Sequence, residues 1–98
     1  ALEEYDDYQL YCRQIALCQY KFKDEIRLLE NFELRGHANQ DKYHLDHKFS
    51  KIEGFKQNIA PYIIGNICNL EMITARNNLS KNRKCSITKE ELFEHFFS

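Results

Sequence analysis

One stretch limits what this chain can fold into more than any other. Residues 59–75, IAPYIIGNICNLEMITA, form the only long run that is mostly apolar, and Glu71 is its single charge. Read at helical spacing, Ile63, Ile64, Ile67, Cys68, Ala75 and Leu79 spread over one broad apolar arc, with Leu70 and Met72 at its edges. Gly65, Asn66, Asn69, Arg76 and Asn77 fall opposite, and Pro61 suits a first turn, where its missing N–H costs nothing. The pattern predicts a buried helix over 61–79. A membrane span is excluded, because Pro61, Asn66, Asn69 and Glu71 interrupt the run and it falls short of the ~20 apolar residues a bilayer needs.

Glu71 is the misfit in that helix. On the wheel it lies between Ile64, Ile67 and Ala75, inside the apolar arc. A carboxylate there must find a cation or hydrogen-bond donors, or take up a proton more readily. The expected partner is Arg13, Lys23, Arg27 or a histidine from a neighbouring helix; a groove open at Glu71 would instead make it part of a binding site.

The rest of the chain is polar or apolar on one side only. Residues 2–34 contain no Gly or Pro, and Tyr8, Ile15, Phe22 and Leu29 recur every seventh residue, with Tyr11, Cys18 and Phe32 as companions. This predicts a first helix over about 2–35, stopped at Gly36. At ~1.5 Å per residue it would approach ~50 Å, so either its first turns project or it breaks near 21–24. Leu10, Leu17 and Leu28 form a second stripe opposite the seam. That stripe is expected either to be sandwiched in the core or to meet another chain.

Asn39 or Asp41 can cap a second helix over about 40–58, with Leu45, Phe49, Ile52, Phe55 and Ile59 as its stripe and Gly54 on the outer face. The sharpest local signal is Thr88-Lys89-Glu90-Glu91, a capping box that opens a last helix over about 89–97 with Leu92, Phe93 and Phe96 buried. The expected fold is therefore all-α: one small four-helix bundle-like domain spanning residues 1–98. With one Pro and three Gly, the chain has too few turn residues for an all-β sandwich.

The four cysteines, Cys12, Cys18, Cys68 and Cys85, contain no CxxC pair, and three lie in or beside apolar arcs. Reduced core thiols are expected ahead of disulfides. An intracellular setting is slightly favoured over secretion, although Asn78-Leu79-Ser80 is a glycosylation sequon. A start at Ala1 rather than Met is what a processed or excised chain would show, and no targeting segment is legible.

Chemistry is sparse at the level of motifs. Asp41, His44, Asp46 and His47 make the densest set of metal-ligand types, but no second helix repeats the pattern, and a solvated helix start explains it without metal. No nucleophile elbow, phosphate loop or HExxH occurs. Fourteen Lys and Arg nearly cancel fifteen Asp and Glu, so no global field draws in nucleic acid. Locally, however, Arg76, Lys81, Arg83 and Lys84 form a basic cluster with Asn77, Asn78 and Asn82.

The expected function is a non-enzymatic module, without cofactor or metal, that binds another protein or itself through Leu10, Leu17 and Leu28, with Glu71 at the contact. The alternative is a nucleic-acid binder using Arg76, Lys81, Arg83 and Lys84.

Overall fold

A computed structural model describes residues 2–98. It is mixed α/β, and the all-α bundle expected from the sequence is corrected by two strands. The elements run α1 (Leu2–Tyr20), α2 (Lys23–Ile26), a 3-10 turn (Phe32–Leu34), β1 (Tyr43–His47), α3 (Lys51–Lys56), α4 (Pro61–Ile64), a second 3-10 turn (Ile67–Asn69), β2 (Leu70–Thr74), α5 (Ala75–Lys81) and α6 (Lys89–Phe97).

The first helix stops at Tyr20 and so is about half its expected length; the chain turns through Lys21 and Phe22 into the short α2. The expected helix over 40–58 is instead a strand followed by the six-residue α3. Ser50, not Asn39 or Asp41, caps α3, its hydroxyl accepting from the Glu53 N–H at 3.2 Å. Asn39 Oδ1 accepts from the Asp41 N–H at 2.9 Å, an Asx turn in the connector. Gly54, expected on the outside, is buried.

The expected helix over 61–79 is broken into α4, a 3-10 turn, β2 and α5. Its apolar residues suit either period locally, but Gly65 and Asn66 end the helix after one turn. Leu70 and Met72 then alternate inward with period two. Glu71 was anomalous on a helix because this segment is a strand, and its side chain lies on the face opposite Leu70 and Met72.

β1 and β2 pair antiparallel with Tyr43 opposite Thr74, Leu45 opposite Met72, Asp46 opposite Glu71 and His47 opposite Leu70. A two-stranded ribbon is marginal alone. Here α5 lies against both strands, making a compact strand–strand–helix unit. The main core lies beside it. Tyr11 and Ile15 of α1, Phe49, Ile59, Ile63 and Ile64, and Leu92 of α6 are buried together. The Tyr11 hydroxyl donates to the Ile59 carbonyl at 2.7 Å, so the one polar atom of that ring is satisfied.

The last helix forms where the sequence places it. Thr88 Oγ1 accepts from the Glu91 N–H at 3.1 Å, and Glu91 Oε1 accepts from the Thr88 N–H at 3.0 Å. All four cysteines are free thiols. Among the described residues, no helix is long and apolar enough to cross a membrane.

Gly65 sets how closely α1 and α4 approach. A Cβ there would lie 2.8 Å from the Ile15 carbonyl oxygen, a backbone atom that cannot turn away. Gly65→Ala is therefore expected to destabilise the fold by about 1–3 kcal/mol in a chemical denaturation experiment. A variant as stable as wild type would show that the two helices part at no cost.

Candidate functional site

The C-terminal end of β1, the first turn of α3 and one face of α5 enclose a concave pocket of about 290 Å³. Asp46 and His47 come from β1, Ser50, Lys51 and Ile52 from the turn into α3, and Asn78 and Lys81 from α5. Asn78 and Lys81 are three residues apart, so they sit on adjacent turns of one helical face. Beyond α5, Asn82 and Arg83 take positive φ angles of 42° and 67°. This left-handed pair reverses the chain and brings Arg83 and Lys84 onto the pocket wall. Tyr8 of α1 completes the lining.

The fold holds this end of β1 firmly. Asn69 is fully buried, although a helical reading puts it on the polar face. Its Oδ1 accepts from the Phe49 N–H at 2.8 Å, and its Nδ2 donates to the Phe49 carbonyl at 3.1 Å and the Ile64 carbonyl at 2.9 Å. Three backbone groups with no partner in the ladder are thereby satisfied by one side chain. The ladder also extends past β1, with the Lys48 N–H donating to the Asn69 carbonyl at 2.8 Å and the Ser86 N–H to the Lys48 carbonyl at 2.7 Å.

Inside the pocket, Lys81 Nζ lies 2.6 Å from Asp46 Oδ2 and also donates to the His47 carbonyl. Both members of the ion pair are largely buried, at 13% and 12% side-chain exposure, so water screens them little. Across the ladder, Glu71 crowds Asp46. Burial, and then the neighbouring Asp46 charge and hydrogen bond, raise the Glu71 pKa above the usual carboxylate range, while Lys81 and Lys48 oppose the shift. Ser86 Oγ donates to Glu71 Oε2 at 3.4 Å. The cations near Glu71 thus come from Lys81 and Lys48, not from Arg13, Lys23, Arg27 or a histidine.

His47 Nε2 is 2.8 Å from Gln19 Oε1 on α1. An amide oxygen only accepts, so Nε2 carries the proton and Nδ1 keeps its lone pair. Burial, reinforced by Lys51 and Lys81 and partly offset by Asp46, lowers the His47 pKa from 6.5 to about 4. The ring is therefore neutral at physiological pH, fixed in one tautomer, and set beside a carboxylate and several cations.

The structure gathers some of the sequence-predicted site residues and scatters others. Lys81, Arg83 and Lys84 line the pocket, whereas Arg76 points elsewhere, 3.4 Å from Asp41 in an exposed pair. Of the Asp41, His44, Asp46 and His47 set, Asp46 and His47 reach the pocket, while His44 Nε2 lies 3.0 Å from the Gly36 carbonyl. Leu10, Leu17 and Leu28 are 52%, 70% and 85% exposed. Leu28 lies beyond the end of α1, so the three do not share one helical stripe.

Asn78 and Gln19 carry no clear site signal in the sequence. Asn78 was legible only as one of the asparagines around the basic cluster, and nothing in the sequence links Gln19 to His47, 28 residues away. Among the described residues, no three His, Cys, Asp or Glu side chains cluster as a metal site. No protein-family model matches the chain, and neither a curated protein nor a solved structure shows significant similarity to it.

Proposed function

We propose that the chain hydrolyses phosphodiester bonds in nucleic acid at the pocket formed by Asp46, His47, Asn78 and Lys81. The observation that carries this reading is that His47, its ring held at Nε2 by Gln19, lines the same pocket as Lys51, Lys81, Arg83 and Lys84. Such a pocket attracts a phosphate and supplies a base beside it. In the step, a water molecule attacks phosphorus and its proton passes to His47 Nδ1. The bond from phosphorus to the leaving sugar oxygen breaks, that oxygen takes a proton from solvent water and His47 returns its own proton to solvent, giving a phosphomonoester and an alcohol. Arg83 and Lys84 offset the charge that builds on the phosphoryl oxygens, while Lys81 stays paired with Asp46.

Because Lys81 holds Asp46, Asn78 is the oxygen donor left in the pocket for a cation. With substrate phosphate oxygens and water it would help to hold Mg²⁺, and a cation held there would supply further charge stabilisation. Cleavage of plasmid and of single-stranded DNA or RNA, with Mg²⁺ and with EDTA, tests the reading. It fails if no nucleic acid is cut under any divalent cation. Arg83→Ala and Lys84→Ala are each expected to weaken nucleic-acid binding and lower the slope of log K against log salt by about 1. An unchanged slope in both would remove the basic wall from the contact.

The exposed face of α1 favours a second reading, in which Leu10 and Leu17 dock another protein or a second copy of this chain without catalysis. Light scattering would then show a dimer that Leu17→Glu converts to a monomer of unchanged melting temperature. Monomers in both samples would end the self-association proposal.

A further inference from the structure

Asn78 also lines a second and larger pocket, of about 780 Å³. Phe32, His37 and Tyr43 supply aromatic walls there, with Leu45 and Met72 from the sheet. Arg35 joins them, its guanidinium carbon 4.1 Å from the centre of the Phe32 ring and its Nη1 donating to the Phe32 carbonyl at 3.2 Å. The His37 ring packs on His44 with centroids 4.8 Å apart, and the Gly36 carbonyl holds His44 in turn. The pocket thus has flat π surfaces, one fixed cation and no carboxylate in its lining. Its volume falls in the range of small-molecule sites.

We propose that this pocket takes an unpaired nucleobase of the same strand whose phosphodiester is cut at His47. The proposal rests on the phosphodiesterase reading above. Asn78 is a wall common to both pockets, so a strand crossing it places a phosphate on one side and the attached base on the other. Aromatic faces and an arginine suit a base of any sequence, since every base has a π face. The absence of acidic residues suits a ligand joined to phosphates. A base in an intact duplex cannot enter without leaving its stack, so the preferred substrate is single-stranded or locally opened.

The test uses the full chain in EDTA, where no cleavage competes, with a single-stranded oligonucleotide carrying 2-aminopurine. Wild type is expected to quench the fluorescence and to bind the single strand more tightly than the matching duplex. Phe32→Ala and Tyr43→Ala should relieve the quench and weaken single-strand binding by about tenfold. His37→Ala, at an exposed connector position, should relieve part of it without threatening the fold. Unchanged quench and affinity in all three variants would overturn the base pocket, as would equal affinity of wild type for single strand and duplex. Cleavage that persists alongside those results leaves the phosphodiesterase reading standing; no cleavage by wild type in Mg²⁺ removes both.

Discussion

Replacing His47 with alanine is expected to slow phosphodiester cleavage by about 10²- to 10⁴-fold, the usual worth of a positioned general base. The substitution removes the ring that Gln19 holds at Nε2, on a residue that lines the pocket with Asp46, Asn78 and Lys81. It leaves the phosphate-binding wall intact, so substrate affinity should change little and the loss should fall on kcat. Gln19→Leu removes the oxygen that fixes the tautomer, and a smaller loss, also in kcat, is expected.

The pH dependence follows from the same environment. The folded pKa of His47 is lowered to about 4 from an ordinary 6.5, so the unfolded chain binds the extra proton first. The stability contributed by the neutral buried ring is fully present above pH 6.5 and is lost as pH falls towards 4. Base catalysis should likewise persist well below pH 6.5. A rate that halves near pH 6.5 would show an imidazole titrating as if in water.

The second large effect is structural. Asn69→Ala would leave the Phe49 N–H and the Phe49 and Ile64 carbonyls without partners in a region that water does not reach. At about 1–3 kcal/mol for each orphaned group, and with some local relaxation, the expected loss is about 3–5 kcal/mol. That is a large part of the stability of a small domain, and it corresponds to a fall in Tm of roughly 12–40 °C.

Asn69→Asp separates the two roles of the side chain. It keeps the acceptor for the Phe49 N–H but turns a carboxylate oxygen towards two carbonyls, and should be nearly as damaging. Because Phe49 precedes Ser50 and Lys51 on the pocket wall, both variants should lose cleavage along with stability. A Tm within about 3 °C of wild type for Asn69→Ala would show that water or local rearrangement replaces the amide.

Much of the core was legible in the sequence. Tyr11 and Ile15 sit on the heptad seam, Ile63 and Ile64 in the apolar run, and Leu92 behind a capping box whose donors and acceptors have fixed spacing. The strands were not. In residues 43–49 the Leu45–Phe49 interval of four fits one helix turn, while Tyr43 and Leu45 alternate just as well with the polar residues between them. Five-residue strands offer too few periods to decide. Glu71 held the decisive clue: a charge that is misplaced at period 3.6 is well placed at period two. Its neighbours along the chain, Leu70 and Met72, are buried where a strand predicts.

The site was hidden for the same reason. On a helix, Asp46 and His47 resemble a solvated first turn. On β1 their side chains leave opposite faces, yet both residues border one pocket with Asn78 and Lys81, more than thirty residues away. The basic residues could be read as a patch, but what they surround depends on the antiparallel pairing of β1 with β2.

The most direct test compares initial rates for wild type and His47→Ala on supercoiled plasmid and a single-stranded oligonucleotide, with Mg²⁺ and with EDTA, once circular dichroism shows both proteins folded. The prediction is Mg²⁺-dependent cleavage by wild type and a loss of about 10²-fold or more in the variant. No cleavage by wild type, or equal rates in the two proteins, would contradict the account.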